Sequence, residues 1–355
     1  MNTLIQQISG LWRRLGRDVQ FMEVCGTHTM VAFRTGLRQL LPGGVKLISG
    51  PGCPVCVTDT NYIDAAVGLC QRPDVVVATF GDLLRIPGSE SSLERERATG
   101  ANVRVVYSPT DALVLARECP SKQIVFLGVG FETTAPTVAW SIWRAEQDGL
   151  KNYSVLCAHK TMPHAMEALL KDNQVKIDGF LCPGHVSVIT GSGMYRFIGQ
   201  QYRIPCVVSG FEAWDMVKSV AMLLRQLVDG RAEVEVEYSR SVSEHGNAAA
   251  QRVMNEVFEP QDANWRGIGV IPQSGLAIRS RYARFDAARA LNVKWGEARV
   301  LPGCRCGDVL RGLYTPLECK LFGESCTPLH PVGPCMVSSE GVCAAYYKYE
   351  RRVAA

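Results

Sequence analysis

The sequence lacks long apolar runs and a strong excess of either charge. Its longest apolar stretches, such as residues 124–131, have the length of a strand, far below the roughly 18 residues of a membrane-spanning helix. The 38 Lys and Arg residues against 34 Asp and Glu residues leave a net charge of only +4, spread along the chain. We therefore expect no membrane span and no nucleic-acid partner.

The N-terminal segment lacks the uninterrupted apolar core of a secretory signal peptide. Apolar side chains recur at helical spacing from Leu4 to Leu15, and Arg13, Arg14 and Arg17 lie on the other side. This pattern is typical of an amphipathic helix docked on the protein, with an organelle-targeting helix as the alternative.

Complete nucleotide-binding loops are also missing. No Gly-x-x-x-x-Gly-Lys-Ser/Thr sequence occurs, which excludes a P-loop NTPase. Gly128 and Gly130 match the first two glycines of a dinucleotide turn, but Thr133 or Thr134 stands where the third would be. A Rossmann-type nucleotide cofactor is therefore disfavoured.

Cysteine, by contrast, is abundant, with 14 residues in a chain of 355. In a long chain without a secretory signal, such a number favours reduced thiols that bind metal or perform redox chemistry over a framework of disulfides. We therefore expect the protein to work in the reducing cytoplasm.

Eight short β-rich runs between residues 19 and 210 are each followed by a Gly-, Pro-, Ser- or Cys-rich corner and a helical segment. Apolar residues without alternation predict parallel strands covered by helices on both faces. Eight units fit either a (β/α)₈ barrel or two doubly wound half-domains, and periodicity does not choose between them. The predicted runs are 19–24, 45–49, 75–79, 103–107, 124–128, 154–158, 179–182 and 206–209, with further strands at 233–238 and 267–271 and a helix over 247–258.

The C-terminal segment from residue 301 has too few large apolar residues to build its own core, which indicates that metal coordination holds it together. The paired C-x-x-C knuckles of a zinc ribbon are absent. An iron–sulfur cluster, which needs only four thiolates brought together by the fold, is favoured over zinc or unligated thiols. The six cysteines of this segment are Cys304, Cys306, Cys319, Cys326, Cys335 and Cys343.

Unusual residue types follow several of the predicted strands. Both parallel architectures gather the carboxyl ends of their strands at one edge, where ligands bind. We therefore expect one shared site, built from the segments Cys25–Thr29 (CGTHT), Gly50–Cys56 (GPGCPVC), Gly128–Thr134 (GVGFETT) and Pro183–Ser187 (PGHVS).

Cys53 and Cys56 lie on a tight turn that is predicted to lead into a helix. A helix N-terminus stabilises a thiolate, and C-x-x-C spacing allows a disulfide. We interpret the pair as a redox-active dithiol or half of a metal site. A zinc knuckle and two buried structural cysteines are the alternatives.

Cys25 and His28 offer a soft sulfur and an imidazole, a combination that suits iron or another transition metal. The alternative is a core cysteine beside a surface histidine. Glu132 is a candidate acid, base or orienting carboxylate, or else an ordinary residue of a first helical turn. His185 is a candidate proton donor or ligand.

These motifs, in this order, resemble the HypD family of [NiFe]-hydrogenase maturation proteins. The resemblance covers nearly the whole chain and includes Trp265–Gly269 (WRGIG) and residues 336–343 (MVSSEGVC). It implies two Rossmann-like α/β domains, over residues 1–118 and 119–300, rather than a barrel. It also implies a cysteine-rich iron–sulfur domain over residues 301–355.

The resemblance further implies a function in metallocofactor assembly. Members of the family act with a small HypC-like partner as a scaffold on which the Fe(CN)₂CO group of the hydrogenase is built. Cyanide would arrive from a thiocyanate on a HypE-like carrier, and the iron unit would later move to the hydrogenase large subunit.

Residue roles follow from the same resemblance. Cys25 would hold the iron together with a thiolate of the HypC-like partner, and Cys53 and Cys56 would be the dithiol that exchanges electrons with the cluster. Three side chains would line the cleft of Cys25, namely His28, Glu132 and His185. The [4Fe-4S] ligands would be Cys306, Cys319, Cys326 and Cys343. Cys304 and Cys335 would not bind the cluster, and of these two Cys335 would be the first candidate to replace a ligand.

Two positions depart from the family pattern. Met30 replaces a common second histidine, and Asp59 replaces a usual proline, where we expect it to act as a helix cap. The competing hypothesis is a dithiol–disulfide oxidoreductase that reduces a protein substrate with its cluster and has no need of Cys25.

Overall fold

Two parallel β-sheets and an antiparallel hairpin organise the chain, of which the computed structural model describes residues 1–172, 174–297 and 302–350. The strands are β1 (Val19–Glu23), β2 (Val45–Ser49), β3 (Val75–Thr79), β4 (Val103–Val105), β5 (Gln123–Gly128), β6 (Tyr153–Cys157), β7 (Gly179–Pro183), β8 (Cys206–Ser209), β9 (Val234–Val236), β10 (Phe258–Trp265) and β11 (Gly269–Ile278).

The two sheets confirm the α/β class with Rossmann-like parallel sheets, and they are separate rather than closed into a barrel. Sheet A has the order β2-β1-β7-β8-β9, and sheet B has the order β4-β3-β5-β6. The chain leaves sheet A after β2, builds sheet B, and returns at β7. The predicted boundary between residues 118 and 119 therefore falls inside sheet B, between β4 and β5. The predicted boundary between residues 300 and 301 lies outside the described residues.

Helices cover the faces of both sheets. They are α1 (Asn2–Leu15), α2 (Gly26–Arg34), α3 (Leu37–Leu40), α4 (Thr60–Cys70), α5 (Leu93–Ala98), α6 (Pro109–Glu118), α7 (Ala135–Gln147), α8 (Met162–Lys171), α9 (Gly184–Thr190), α10 (Ala213–Val228), α11 (Ala248–Val257), α12 (Ala287–Ala290), α13 (Cys306–Leu310), α14 (Pro334–Val337) and α15 (Val342–Tyr349). Single 3₁₀ turns occur at Gly81–Leu83, Ser192–Tyr195, Ser280–Phe285 and Pro316–Glu318, and a π-turn occurs at Ile198–Tyr202.

The first helix is docked, as its amphipathic pattern predicts. Ile8 and Leu11 of α1 are buried in a cluster that includes residues of α10. Its C-terminal residue is followed by Gly16 in the left-handed conformation, whose N–H bonds the carbonyl of Trp12 and ends the helix. Within the described part of the chain, no helix has the length and hydropathy to cross a bilayer.

The hairpin of β10 and β11 packs against sheet B. The sequence predicted a short strand at 267–271, and the structure has a longer one, β11, which ends at Ile278 and pairs with β10. The sequence did not predict β10, because its mostly polar residues 259–264 lack the apolar pattern of a strand. Trp265, at the end of β10, is fully buried and donates from Nε1 to Ser274 Oγ at 2.8 Å. Its ring stacks on Phe131 with centroids 5.8 Å apart. The segment after Trp265 is therefore held firmly over the edge of sheet B.

The cysteine-rich tail shares a core with the N-terminal region. Helix α15 packs on α2, and the rings of Tyr346 and Phe33 meet edge to face at 4.6 Å. Val309, Val342 and Ala345 complete this small apolar cluster. Because α2 begins directly after Cys25, this packing brings the tail next to the first candidate site residue.

Candidate functional site

Cys25, His28 and His185 converge at the carboxyl edge of sheet A, as the sequence predicts. Cys25 follows β1, and His185 lies in the first turn of α9 after β7, so the pairing of these strands brings them together. The Sγ of Cys25 lies 4.0 Å from Nδ1 and 3.9 Å from Nε2 of His185. His28 is buried in α2, and its Nε2 lies 3.0 Å from the carbonyl oxygen of Gly210, after β8.

Phe211 separates the two imidazoles and was not predicted as a site residue. Its ring stacks on His28 with centroids 5.1 Å apart and on His185 with centroids 5.0 Å apart. Phe211 follows β8, the neighbour of β7. Its position just after a predicted strand is the sequence feature that could have identified it as a site residue. The aromatic ring fixes both histidines relative to Cys25 and gives the cleft a flat apolar wall.

Burial favours the uncharged forms of the three predicted residues. It lowers the pKa of His28 to about 4 and also lowers the pKa of His185. Burial, and then the negative charge of Glu340, raises the pKa of the Cys25 thiol to about 12. A thiol in such surroundings is a poor nucleophile by itself, and a metal cation that binds it must displace a proton.

Cys53 and Cys56 form a disulfide beside this cleft. Both are buried, with 2% and 0% of their surfaces exposed. The helix α4 begins only at Thr60, so the prediction that these cysteines lie at a helix N-terminus was wrong. They occupy a separate turn, which is closed by a bond from Val57 N to Cys53 O at 3.2 Å.

The dithiol turn and the Cys25 loop lie directly against each other. The N–H of Gly26 donates to the carbonyl of Gly52 at 3.1 Å. A Cβ atom at Gly52 would come within 2.2 Å of the Cys25 nitrogen, so only glycine permits this approach. The iron-binding candidate and the dithiol therefore belong to one rigid arrangement.

The tail segment that follows Cys335 lies across both loops. Thr27 donates from Oγ1 to Glu340 Oε1 at 2.6 Å, and Ser338 Oγ lies 3.4 Å from Cys53 Sγ. Neither Ser338 nor Glu340 was predicted as a site residue, although both belong to the quoted segment 336–343. The tail thus brings polar groups into the site in addition to its cysteines.

The tail cysteines line a small apolar cavity. All four predicted cluster ligands line it, together with Cys304 and the apolar side chains Val309, Leu321, Phe322 and Met336. The lining cysteines are Cys304, Cys306, Cys319, Cys326 and Cys343. The thiol of the remaining cysteine, Cys335, lies within hydrogen-bonding reach of Cys306 and Cys343.

This donor set fits an iron–sulfur cluster in its chemistry. The polar groups around the cavity are almost all thiols, the ligands that hold such clusters. Gly333 leaves the space open, since a Cβ there would lie 2.6 Å from Cys306 Sγ and 2.8 Å from Cys304 Sγ. Among the described residues, no three Cys, His, Asp or Glu side chains are grouped closely enough to hold a metal ion.

Glu132 lies at the edge of the other sheet. It follows β5, is 3% exposed, and accepts a hydrogen bond at Oε1 from the N–H of Met162 at 2.9 Å. Burial raises its pKa to about 7, and its Oε2 has no hydrogen-bond partner. None of its hydrogen bonds within the described residues reaches Cys25, His28 or His185.

The two departures from the family pattern have different surroundings. Met30 packs in the α2–α15 cluster and does not face the cleft. Asp59 precedes α4, but its side chain makes no capping hydrogen bond, so the expectation of a helix cap was wrong. Its Oδ2 is buried without a hydrogen-bond partner.

Comparison with known proteins agrees with this arrangement. The family model described as "HypD: Hydrogenase formation hypA family" matches residues 1–350. The hydrogenase maturation factor HypD of Rhodobacter capsulatus is 45% identical over 355 residues, covering 98% of this chain and 94% of that protein.

Two further relatives are similarly close. The hydrogenase expression/formation protein HupD of Azotobacter chroococcum is 46% identical, over 95% of this chain and 90% of that protein. The hydrogenase maturation factor HypD of Escherichia coli is 44% identical, again over 95% and 90%. This chain belongs to the HypD family of hydrogenase maturation factors.

Proposed function

We propose that this maturation factor is the scaffold on which an Fe(CN)₂CO unit is assembled, in the cytoplasm, together with a small HypC-like partner. The observation that carries the proposal is the position of Cys25. Its thiol lies against His185 and directly beside the Cys53–Cys56 disulfide turn. Iron held at this sulfur would have a redox group and two imidazoles as neighbours.

The donor chemistry at Cys25 suits an iron unit that carries strong-field ligands. A single protein thiolate leaves most coordination positions open for cyanide, carbon monoxide and a thiolate of the HypC-like partner. The neutral imidazole of His185 and the ring of Phe211 give that unit a polar side and an apolar side. The finished unit would then pass to the hydrogenase large subunit.

Delivery of cyanide needs electrons, and the dithiol can supply them. Cleaving the S–C bond of a carrier thiocyanate, on a HypE-like protein, takes two electrons and yields a thiolate and cyanide. Oxidation of the Cys53 and Cys56 thiols to their disulfide releases two electrons and two protons. The two half-reactions therefore balance, and the observed disulfide corresponds to the spent form.

The Cys53–Cys56 disulfide must be reduced again after each reaction, and the cysteine-rich tail can supply the electrons. We propose that Cys306, Cys319, Cys326 and Cys343 hold a [4Fe-4S] cluster, which supplies single electrons when bound. Cys304 lines the same cavity, and Cys335 contacts two of these thiols, so either is placed to substitute for one ligand. The contact between Ser338 and Cys53 supports a short path from this region to the disulfide.

Replacing Cys25 by Ala separates the scaffold from a plain dithiol oxidoreductase. Because the scaffold needs this sulfur to hold iron, we expect hydrogenase activity to be lost in a strain that carries only the Cys25→Ala variant. The matched control is Cys119→Ala, a free cysteine far from the cleft at the end of α6. Hydrogenase activity in the Cys25→Ala strain equal to that of the control strain would favour the oxidoreductase.

Replacing Gly333 by Ala tests the cluster cavity. The added methyl group would collide with the sulfurs of Cys306 and Cys304, so we expect iron and acid-labile sulfide to fall from about four per chain to near zero. Gly296→Ala, where the methyl group would meet no atom of the described residues within 4 Å, is the matched control. Unchanged iron content in the Gly333→Ala protein would place the cluster elsewhere.

A further inference from the structure

Reduction of the Cys53–Cys56 disulfide to two thiols consumes protons as well as electrons. The inference drawn below from this need rests on the dithiol role proposed above. Breaking the S–S bond with two electrons leaves two thiolates, and two protons must arrive for both to become thiols. The cysteines are 2% and 0% exposed, so bulk water does not reach the sulfurs freely. A protein group close to the turn is therefore needed to deliver at least one proton.

Asp59 is the first titratable residue after Cys56 and belongs to the same compact segment. The N–H of Thr58 donates to Val55 O, which folds the chain back so that Asp59 follows the dithiol turn directly. The side chain of Asp59 does not cap α4, and one carboxylate oxygen is buried without a hydrogen-bond partner among the described residues. The Asp59 carboxyl group thus follows the dithiol turn after only two intervening residues and makes no capping hydrogen bond.

Two cations, the buried Lys160 and the partly buried Arg266, face this carboxyl group from different elements. Lys160, after β6, is 5% exposed, and its Nζ lies 5.8 Å from the centre of the Trp265 ring. Arg266, in the hairpin turn, donates from Nε to Thr58 O at 2.9 Å and from its backbone N–H to Val57 O at 3.0 Å. Arg266 therefore fixes the segment between the dithiol and Asp59, while Lys160 adds charge from the sheet B side.

Burial and the nearby charges shift the pKa of Asp59 in opposite directions. Burial raises the pKa of Asp59, and the charges of Arg266 and Lys160 oppose that rise. Burial lowers the pKa of Lys160 to about 8, against the opposing effects of Asp59 and Cys157. Burial therefore brings the pKa values of this carboxyl and this amine closer together, which favours proton exchange between them.

We infer that Asp59, with Lys160 behind it, is the proton-transfer group of the Cys53–Cys56 dithiol. During reduction, the Asp59 carboxylic acid gives its proton to a departing thiolate and becomes a carboxylate, which Lys160 or solvent then reprotonates. During oxidation, the carboxylate accepts a thiol proton as the S–S bond forms. The electrons come from a dithiol reductant or from the one-electron centre proposed for the tail.

The test is the rate at which dithiothreitol reduces the disulfide in the full-length protein between pH 6 and pH 9. Each rate is divided by the concentration of dithiothreitol thiolate, so that only the acid supplied by the protein remains visible. For the wild-type protein we expect this corrected rate to fall as the pH rises, because less Asp59 is protonated. Asp59→Asn should reduce the rate at pH 6 about tenfold or more and remove the pH dependence.

Three variants control for folding and for charge. Asp59→Pro removes the acid while suiting the backbone, since the φ of Asp59 is −72° and its N–H makes no backbone hydrogen bond to any residue that the structure describes. Asp59→Glu keeps the acid and should retain the pH dependence. Asp74→Asn, which removes an exposed carboxylate paired with Arg72, should behave as wild type.

The outcomes separate this inference from the proposed function. A wild-type disulfide that cannot be reduced and reoxidised at all overturns both. A disulfide that cycles normally, with the same corrected rate and pH profile in Asp59→Asn and Asp59→Pro as in wild type, overturns the proton-transfer role alone. Slow, pH-independent reduction in these two variants and retained pH dependence in Asp59→Glu support it.

Discussion

The carboxyl edges of the two parallel sheets hold different chemistry although the sheets are built alike. The edge of sheet A presents a thiol and two imidazoles, Cys25, His28 and His185, around an aromatic ring. The edge of sheet B presents Glu132 and Lys160, a buried carboxyl group and a buried amine, which are not the ligands that soft metals prefer. The dithiol turn lies between them, in contact with the Cys25 loop and with Arg266.

We interpret this difference as a separation of the proposed roles between the two sheet edges. The soft ligands suit an iron unit, and the carboxyl and amine groups suit proton transfer to and from the dithiol. On the proposed roles, the dithiol turn serves both edges because it contacts the Cys25 loop and Arg266.

On the sheet A side, we expect the largest effect from removing Arg38, the cation that pairs with Glu23. Arg38 contacts Glu23 at 3.1 Å, and the Glu23 side chain is 0% exposed just before Cys25. Arg38→Met leaves that carboxylate buried without its partner, so we expect a loss of about 3–5 kcal/mol in the free energy of unfolding, measured by urea denaturation. Hydrogenase maturation should fall with it.

The matched ion pair is exposed and lies near sheet B. Arg281 contacts Glu256 at 2.7 Å, with 68% and 43% of these side chains exposed. Arg281→Met should cost less than about 1 kcal/mol. Equal losses for the two variants would contradict the claim that the Glu23 network supports the Cys25 edge.

The sheet B edge has a pH signature of its own. Burial raises the pKa of Glu132 from 4.5 to about 7, so the native protein holds a proton that the unfolded chain releases. Stability should therefore fall as the pH rises from about 4.5 to about 7, by about 3 kcal/mol in all. Glu132→Gln, which has no charge to bury, should be more stable than wild type at pH 8 and similar to it at pH 5.

Unfolding midpoints at the two pH values measure this effect. The control is Glu94→Gln, an exposed carboxylate of α5, which should change the midpoint by the same small amount at both. A Glu132→Gln protein with the same pH dependence as wild type would show that Glu132 is ionised in the native state.

The smallest effect concerns the aromatic wall of sheet A. Phe211 stacks on two imidazoles, and Phe80, beside sheet B, meets one ring, that of Phe126. Phe211→Leu should lower the free energy of unfolding by about 1–2 kcal/mol, and Phe80→Leu by about half as much. Only Phe211→Leu should also slow maturation, because only it releases His185 beside Cys25.

The sequence predicted the parallel strands well because short apolar runs without alternation are typical of strands covered by helices on both faces. It could not predict the order of strands, since β7 pairs with β1 across more than a hundred residues and leaves no local signal. The resemblance assigned Glu132 to the cleft of Cys25; Glu132 follows β5 of the other sheet, and its role in that cleft stays a prediction.

The prediction of the candidate site followed a similar pattern. Cys25, His28 and His185 were predicted because Cys and His at strand ends carry obvious chemistry. Phe211, Ser338 and Glu340 were missed because a phenylalanine, a serine and a glutamate have no distinctive spacing and gain their place only through packing. Asp59 was assigned to capping on its position alone, and only its buried oxygen shows otherwise.

The most direct test of the central claim is infrared absorption of the anaerobically purified complex with the HypC-like partner, co-produced with the HypE-like carrier. The region for metal-bound cyanide and carbon monoxide is nearly free of protein bands. We expect these bands in the wild-type complex and none in the Cys25→Ala complex, with the iron of the tail retained in both. Diatomic bands of equal strength in the Cys25→Ala complex would contradict the assignment of Cys25 as the sulfur that holds the iron.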